Sequence, residues 1–328
     1  MEMLDKLRSG SDLSFDEATV LFNTILDGTV EEREIEEALV LLADKGETEE
    51  EIAAAANALL EHAVSLTHQF ASLLDVVGTG GDESHSFNIS TAASIICSLF
   101  IPVAKHGNRA VSSRSGSADF LEALSIPIDL GADAASRYLA EKNFVFLFAQ
   151  KYHPAMKMVA PVRKRLARRT IFNLLGPLLN PACPSAQLIG VFSTDILAKY
   201  TKAVQALGIP NAMVVSSRDG LDEVSISDTT CCMHKVNGSV KAFEFDPKDF
   251  GIYAGREAIK GYEPEDNARI MKEALQGRHP DLANAIAINA AFALMTAGVE
   301  DEIRPAFLLA RESIDSGRAF DKLMELAS

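Results

Sequence analysis

Apolar positions at helical spacing open the chain. Ala18, Leu21, Phe22 and Ile25 form one stripe, Ile35, Leu39 and Leu42 a second, and Ile52, Ala55, Ala56, Leu59 and Ala63 a third. A hydroxyl followed three residues later by glutamate precedes each stripe: Ser14 with Glu17, Thr29 with Glu32, Thr48 with Glu51. Such capping boxes predict three helix starts, and Gly46 predicts the end of the second helix. Glu31, Glu32, Glu34, Glu36 and Glu37 read as a solvated helix face. A bundle this short would not be very stable alone, so it is expected to pack on later helices or on a second subunit.

From Leu73 onward the pattern changes. Short apolar runs at 73–77, 101–104, 144–149, 188–192 and 212–215 read as strands, the unbroken run at 144–149 as one covered on both faces. Helical patterns lie between them, at 92–99, at 118–124 with Ser117 as N-cap, and at 194–207. Residues 231–236 and 239–245 flank Asn237-Gly238, the signature of a hairpin with a type I′ turn. The tail returns to helices at 264–276, 282–297 and 302–316, with Gly298 and Gly317 near their ends. The fold class is therefore α/β: a small, mostly helical N-terminal domain and a large α/β domain with a mostly parallel central sheet. Between the strands, residues 152–179 hold Pro154, Pro161 and Pro177 among the basic residues Arg163, Lys164, Arg165, Arg168 and Arg169, which predicts short, bent helices.

The chain has 328 residues, 48% of them hydrophobic, enough for an ordinary globular core. Its net charge of −15 argues against nucleic acid or an anionic membrane as the main partner. Cys97, Cys183, Cys231 and Cys232 form no regular framework, so buried reduced thiols and a cytoplasmic location are expected. Adjacent Cys231 and Cys232 should point to opposite faces of a strand. Met1-Glu2-Met3-Leu4-Asp5 has neither the basic start nor the apolar core of a signal peptide, and no uncharged apolar run reaches membrane-span length.

Candidate chemistry sits in two loops. Gly78-Thr79-Gly80-Gly81-Asp82 follows the first strand, and Lys105-His106-Gly107-Asn108-Arg109 follows the second. Glycines let backbone N–H groups approach an anion, and a helix start beside Asn88, Ser90 and Thr91 supplies further donors. Lys105, Arg109 and the hydroxyls of Ser112, Ser113, Ser115 and Ser117 add charge and hydrogen bonds. One glycine cluster alone would be a tight turn. Two donor-rich loops after successive strands point instead to a highly charged oxyanion such as a pyrophosphate. Neither a Gly-x-Gly-x-x-Gly fingerprint nor a Walker loop is present.

At these residues the chain resembles the anthranilate phosphoribosyltransferases of tryptophan biosynthesis. The matching text is GTGGD at 78–82, FNIST at 87–91, KHGNRAVSSRSGSAD at 105–119, YHPAMKMVAPVR at 152–163, RTIFNLLGPLLNPA at 169–182 and DGLDEVS at 219–225. The resemblance implies transfer of the 5-phosphoribosyl group from 5-phosphoribosyl 1-diphosphate to the amine of anthranilate, assisted by Mg²⁺, without a covalent enzyme intermediate. It implies diphosphate-substrate contacts at Gly78, Gly81, Asp82, Ser86, Asn88, Ile89, Ser90, Thr91 and Lys105. Arg109, Ser112, Ser113 and Ser117 match a loop that closes over that substrate. Ser90, Asp222 and Glu223 match metal ligands. Gly78, Asn108 and Arg163 match the anthranilate pocket, which His106, Tyr152, His153, Ala155, Met156 and Pro177 would line. The small domain would be discontinuous, 1–66 plus a crossover at about 165–182, against a large domain of 72–160 and 185–328. A homodimer through the N-terminal helices is implied too. The alternatives are a pyrimidine nucleoside phosphorylase-like enzyme on the same fold and a non-catalytic relative that binds nucleic acid. The usual glycine pair before Asn267-Ala268 is Gly261-Tyr262 here, Phe100 and Ser125 stand where glycine is common, and Ser86 replaces a usual threonine.

Overall fold

The structure, a computed structural model, describes residues 2–82, 84–110 and 114–328. Four helices come first: α1 Glu2–Arg8, α2 Phe15–Leu26, α3 Glu32–Lys45 and α4 Glu49–Glu61. Ser14 and Thr48 close full capping boxes on α2 and α4. The third expected box does not form. Helix α3 starts later than the box requires, with Glu31 at its N-cap, and the Thr29 hydroxyl donates to the Thr24 carbonyl instead. Gly46 ends α3 at a φ of 82°.

The α/β part alternates β1 Leu74–Gly78, α5 Ile89–Cys97, β2 Val103–Gly107, α6 Ser117–Ala123, α7 Ala132–Lys142 and β3 Phe144–Phe148. The short helices α8 Ala149–Tyr152, α9 Ala160–Leu166 and α10 Phe172–Leu175 follow, then β4 Ala186–Gly190, α11 Leu197–Ala206 and β5 Asn211–Ser217. The hairpin is β6 Thr230–Val236 and β7 Ser239–Phe245, with positive φ at both Asn237 and Gly238, as a type I′ turn requires. The chain ends in α12 Pro264–Ala274, α13 Pro280–Thr296, α14 Ile303–Asp315 and α15 Arg318–Leu326. Helices α1, α7 and α15 were not anticipated from the pattern. Strand β2 runs to Gly107, not Ala104, so Lys105 and His106 belong to it. Ser117 is the first residue of α6 rather than its cap, and Gly116 holds the cap position.

The seven strands form one sheet in the order β3-β2-β1-β4-β5-β6-β7. The first five are mutually parallel and the hairpin adds two antiparallel strands. Side chains alternate between its faces. Leu74, Val76, Val103, Phe144, Phe146, Leu188 and Met213 belong to the core under α5 and α13, with α12 and α14 packed on those helices. Ile189, Val191, Ala212 and Val214 face the other way, onto α11 and the N-terminal helices. Val159, Val162, Ile171, Phe172, Leu174, Leu175, Leu178 and Leu179 enter that second core, so the bundle closes around a segment from the middle of the chain. Cys232 lies in the first core and Cys231 packs against the second, the opposite faces that adjacency requires. The expectation of buried thiols fails at Cys183, which lies exposed in a loop at positive φ, and Cys231 is half-buried.

Candidate active site

Strand order reverses direction between β1 and β4, and open α/β sheets bind ligands at such a switch point, beyond the carboxyl ends of the strands. A cavity of about 500 Å³ opens there, lined by the loops after β1, β2 and β5 and by the 153–179 segment. Gly78 and Gly190 face each other across β1 and β4 at its floor. A Cβ on Gly190 would lie 1.5 Å from the Asp222 carbonyl oxygen, and one on Gly78 2.3 Å from Asp222 Oδ2. The two glycines therefore clear the slot in which Asp222 lies.

On one side of the cavity, Lys105 is buried at the end of β2, where its ammonium donates to the Val76 carbonyl and to Ser90 Oγ at 3.3 Å. Burial lowers its pKa, opposed by the nearby charges of Asp75, Glu223 and Asp222. Asp222 Oδ2 accepts from the Gly80 N–H at 2.7 Å, and Glu223 Oε1 from the Ser90 N–H at 3.2 Å, at the start of α5. Burial, with Asp82 close by, holds the Asp222 carboxyl above the usual carboxylate range. Glu223 is raised as well, by burial first and then by Asp222.

Ser86 pairs with Lys260 in a short bridge. Asn88 stands at the N-cap position of α5 and, like Ser86, lines the cavity, but its side chain does not cap the helix. Its amide donates to the Ser115 carbonyl, and its oxygen accepts from Asn267 and Ser115. Ile89 does not line the cavity: its N–H donates to Phe87 and its side chain is in the core. Gly81, Asp82, Thr91, Asn108 and Ser117 do line it. The Ser117 hydroxyl donates to the Asn108 carbonyl, and Arg109 is held by Asp119 and Glu122 on α6. Ser112 and Ser113 lie outside the described residues.

On the other side, successive residues of β2 diverge. Lys105 faces α5, whereas His106 faces the 176–179 segment and bonds the Gly176 carbonyl through Nδ1 at 3.2 Å. His153 bonds the Leu179 carbonyl through Nε2 at 2.8 Å, and the two rings stand edge to face at 5.1 Å. Both rings are buried, each 4% exposed, and burial lowers both pKa values, that of His106 to about 3. Met156 and Arg163 complete this wall. Tyr152 does not reach it. Its side chain is turned into a separate core beneath α7, where the hydroxyl donates to the Leu130 carbonyl. Ala155 and Pro177 are likewise not among the lining residues.

Thr79 Oγ1, Asp82 Oδ2, Glu223 Oε2, His106 Nε2 and His153 Nδ1 are all buried atoms with no partner among the described residues. All five residues line this one cavity. Orphaned polar atoms are costly unless a ligand satisfies them, so their concentration marks a binding site. The donor set also fits a hard divalent cation. Two crowded carboxylates, each with its pKa raised, gain from a positive charge between them, and Glu223 Oε2 is free to give it an oxygen. Among the described residues no group of three His, Cys, Asp or Glu is arranged to hold a metal.

Several organising residues escaped the motif reading. Asp119 accepts from the Ala110 and Gly116 N–H groups and so ties these two residues to the start of α6. Asn267 ties α12 to Asn88 at 2.9 Å. Asp75, buried on β1 against the returning chain, accepts from Asn180 at 2.8 Å and from the His106 N–H. Thr79 and Phe172 were passed over although both lie inside quoted motifs.

A helical bundle leading into an α/β unit with an anion site at its switch point defines a class. Residues 1–63 match the glycosyl transferase family, helical bundle domain, and residues 71–320 match the glycosyl transferase family, a/b domain. An anthranilate phosphoribosyltransferase of Methanobrevibacter smithii is 43% identical over 324 residues, covering 98% of this chain and 96% of its own. The chain belongs to the anthranilate phosphoribosyltransferase family. The crystal structure of the Thermus thermophilus member superposes with a TM-score of 0.94 at 38% identity, covering 100% of this chain and 98% of that one. The Saccharomyces cerevisiae enzyme in complex with PRPP (5-phosphoribosyl 1-diphosphate) and Mg superposes with a TM-score of 0.90 at 30% identity, covering 98% of this chain and 95% of that one.

Proposed function

We propose that this chain transfers the 5-phosphoribosyl group of 5-phosphoribosyl 1-diphosphate to the amine of anthranilate, releasing pyrophosphate, as a step of tryptophan biosynthesis. One observation carries the reading: a single cavity holds a glycine loop with a buried lysine and an acid pair on one wall, and on the other Arg163, which has no acid partner among the described residues. The first wall suits a diphosphate and the second a carboxylate.

The amine lone pair attacks C1 while the C1–O bond to the diphosphate breaks, and the nitrogen then loses a proton. Lys105, the Gly78–Asp82 loop and the Ser90–Thr91 helix start would bind the diphosphate and stabilise charge as it leaves. Ser90, Asp222 and Glu223 would hold Mg²⁺, which neutralises that leaving charge. Asn108 and Arg163 would orient the anthranilate, and His106, His153 and Met156 would enclose it. The aniline nitrogen needs no strong base, so positioning supplies much of the rate.

The shared core of α2 to α4 with residues 159–179 supports a discontinuous small domain whose crossings act as hinges. The homodimer would form through the N-terminal helices, and a solution mass equal to one chain would count against it. A cytoplasmic location accords with the absence, among the described residues, of any helix long and apolar enough to cross a membrane.

The deciding experiment supplies purified protein with Mg²⁺, anthranilate and 5-phosphoribosyl 1-diphosphate, with thymidine plus phosphate in parallel. Magnesium-dependent loss of anthranilate fluorescence is expected. Phosphorolysis of thymidine without that loss would move the chain to the nucleoside phosphorylases.

A further inference from the structure

The arginines of the crossover segment differ in one respect. Arg165 pairs with Glu32 and Glu36, Arg168 pairs with Asp44, and Arg169 donates to the Gly81 carbonyl. Arg163 has neither an acid nor a carbonyl partner among the described residues. Its guanidinium carbon instead lies 5.2 Å from the centroid of the Phe172 ring. Burial without a compensating anion lowers its pKa. Phe172 is 6% exposed, lines the cavity, and meets the fully buried ring of Phe22 edge to face, with centroids 6.2 Å apart at 81°.

A cation–π contact at 5.2 Å holds the charge without an acceptor lone pair, so the Arg163 N–H donors stay unclaimed by any acid or carbonyl among the described residues and are open to a planar carboxylate. A solvated arginine would sample many rotamers and lose that freedom on binding. The ring supplies one electrostatically favoured seat before substrate arrives. We propose that Phe172 is a positioning residue for Arg163, holding the guanidinium ready for the substrate carboxylate, with Phe22 of α2 fixing the ring in turn. Carboxylate recognition in the cavity is thereby tied to the packing of the N-terminal bundle. The proposal rests on the phosphoribosyl-transfer reading given above.

The test separates ring electronics from ring volume. Phe172 is replaced by 3,4,5-trifluorophenylalanine, which keeps the shape and weakens the negative ring face, and in separate variants by Leu and Tyr. Phe172→Leu should raise KM for anthranilate about fivefold, the scale of one cation–π contact, with KM for the diphosphate substrate changed less than about twofold. The fluorinated ring should raise it about threefold at unchanged thermal stability, and Phe172→Tyr should restore it. In an Arg163→Ala background the Leu change should add nothing. An unchanged KM with the fluorinated ring, an equal rise for both substrates, or a Leu effect that persists without Arg163 would each overturn the proposal. The fluorinated variant decides the matter even if Phe172→Leu fails to fold. Wild-type protein that neither binds nor converts anthranilate would overturn the transfer reading together with it, whereas wild-type turnover indifferent to Phe172 would overturn the proposal alone.

Discussion

His106 is buried, and the two basic neighbours that act on it, His153 and Lys105, both oppose its protonation. Burial, then the His153 ring, pushes its pKa down to about 3 from 6.5. The folded chain keeps the imidazole neutral where the unfolded chain would protonate it. That contribution to stability is whole above pH 6.5 and is lost as the pH falls toward 3. His106→Gln keeps a donor for the Gly176 carbonyl but removes the titration. Its urea-unfolding free energy should therefore fall less steeply below pH 6.5, by about 1 kcal/mol per pH unit relative to wild type. Parallel curves would mean that the imidazole is not buried neutral. The acid pair makes a different prediction. Asp222→Asn with Glu223→Gln should cost at least about 2 kcal/mol of transition-state stabilisation. Unaltered magnesium dependence in that double variant would remove both residues from the site. Lys105, Arg163, Asp222 and Glu223 were legible because each sits in a short contiguous motif. Asn267, Asp75 and Asn180 were not, because their partners lie 179, 105 and 31 positions away among Asn88, Asn180 and His106. Nothing local in a sequence records such a bond.

At the scale of elements, long apolar runs were read well, caps only in part, and boundaries poorly. Thr48 and Thr29 look alike in the sequence, each followed at the third position by glutamate. Only Thr48 accepts from the Glu51 N–H, at 3.2 Å, with the Glu51 carboxylate returning to the Thr48 N–H at 2.9 Å. Thr48→Ala should therefore cost about 1 kcal/mol of folding stability, and Thr29→Ala much less. Equal losses in thermal or urea unfolding would contradict the difference between the two helix starts. The end of β2 shows why boundaries matter. Apolar residues alone end that strand at Ala104. Yet Lys105 and His106 continue its register against Phe146 and Leu147, which is what sends them to opposite faces. Polar residues inside a strand are the reverse of the expected pattern, and here they are the ones that build the site. Helices α1, α7 and α15 were missed for a plainer reason: each is short and mixes charged residues into its apolar stripe, and neither α7 nor α15 has a side-chain cap to mark its start.

Across the whole molecule, the chain leaves the sheet after β3, helps close the N-terminal core, and returns into β4. At the return, Asn180 donates to Asp75 Oδ2 at 2.8 Å and to the Ala104 carbonyl at 2.7 Å, while its oxygen accepts from the Ala182 N–H. One side chain thus joins β1, β2 and the crossover, beside the cavity floor. Burial raises the Asp75 carboxyl to about 6, against the pull of Lys105 and these hydrogen bonds. Asn180→Ala removes a donor from that carboxylate and leaves its acceptors facing an apolar gap. It should destabilise the fold by about 1–3 kcal/mol, more than the same truncation at an exposed asparagine. The loss should also be spatially uneven. Hydrogen exchange should quicken along residues 165–182 and at the start of β4 before it quickens in α13, which is buried on the far face of the sheet. Uniform quickening would show that the crossover and the sheet open together, and that Asn180 is ordinary packing rather than the clasp where the two cores meet.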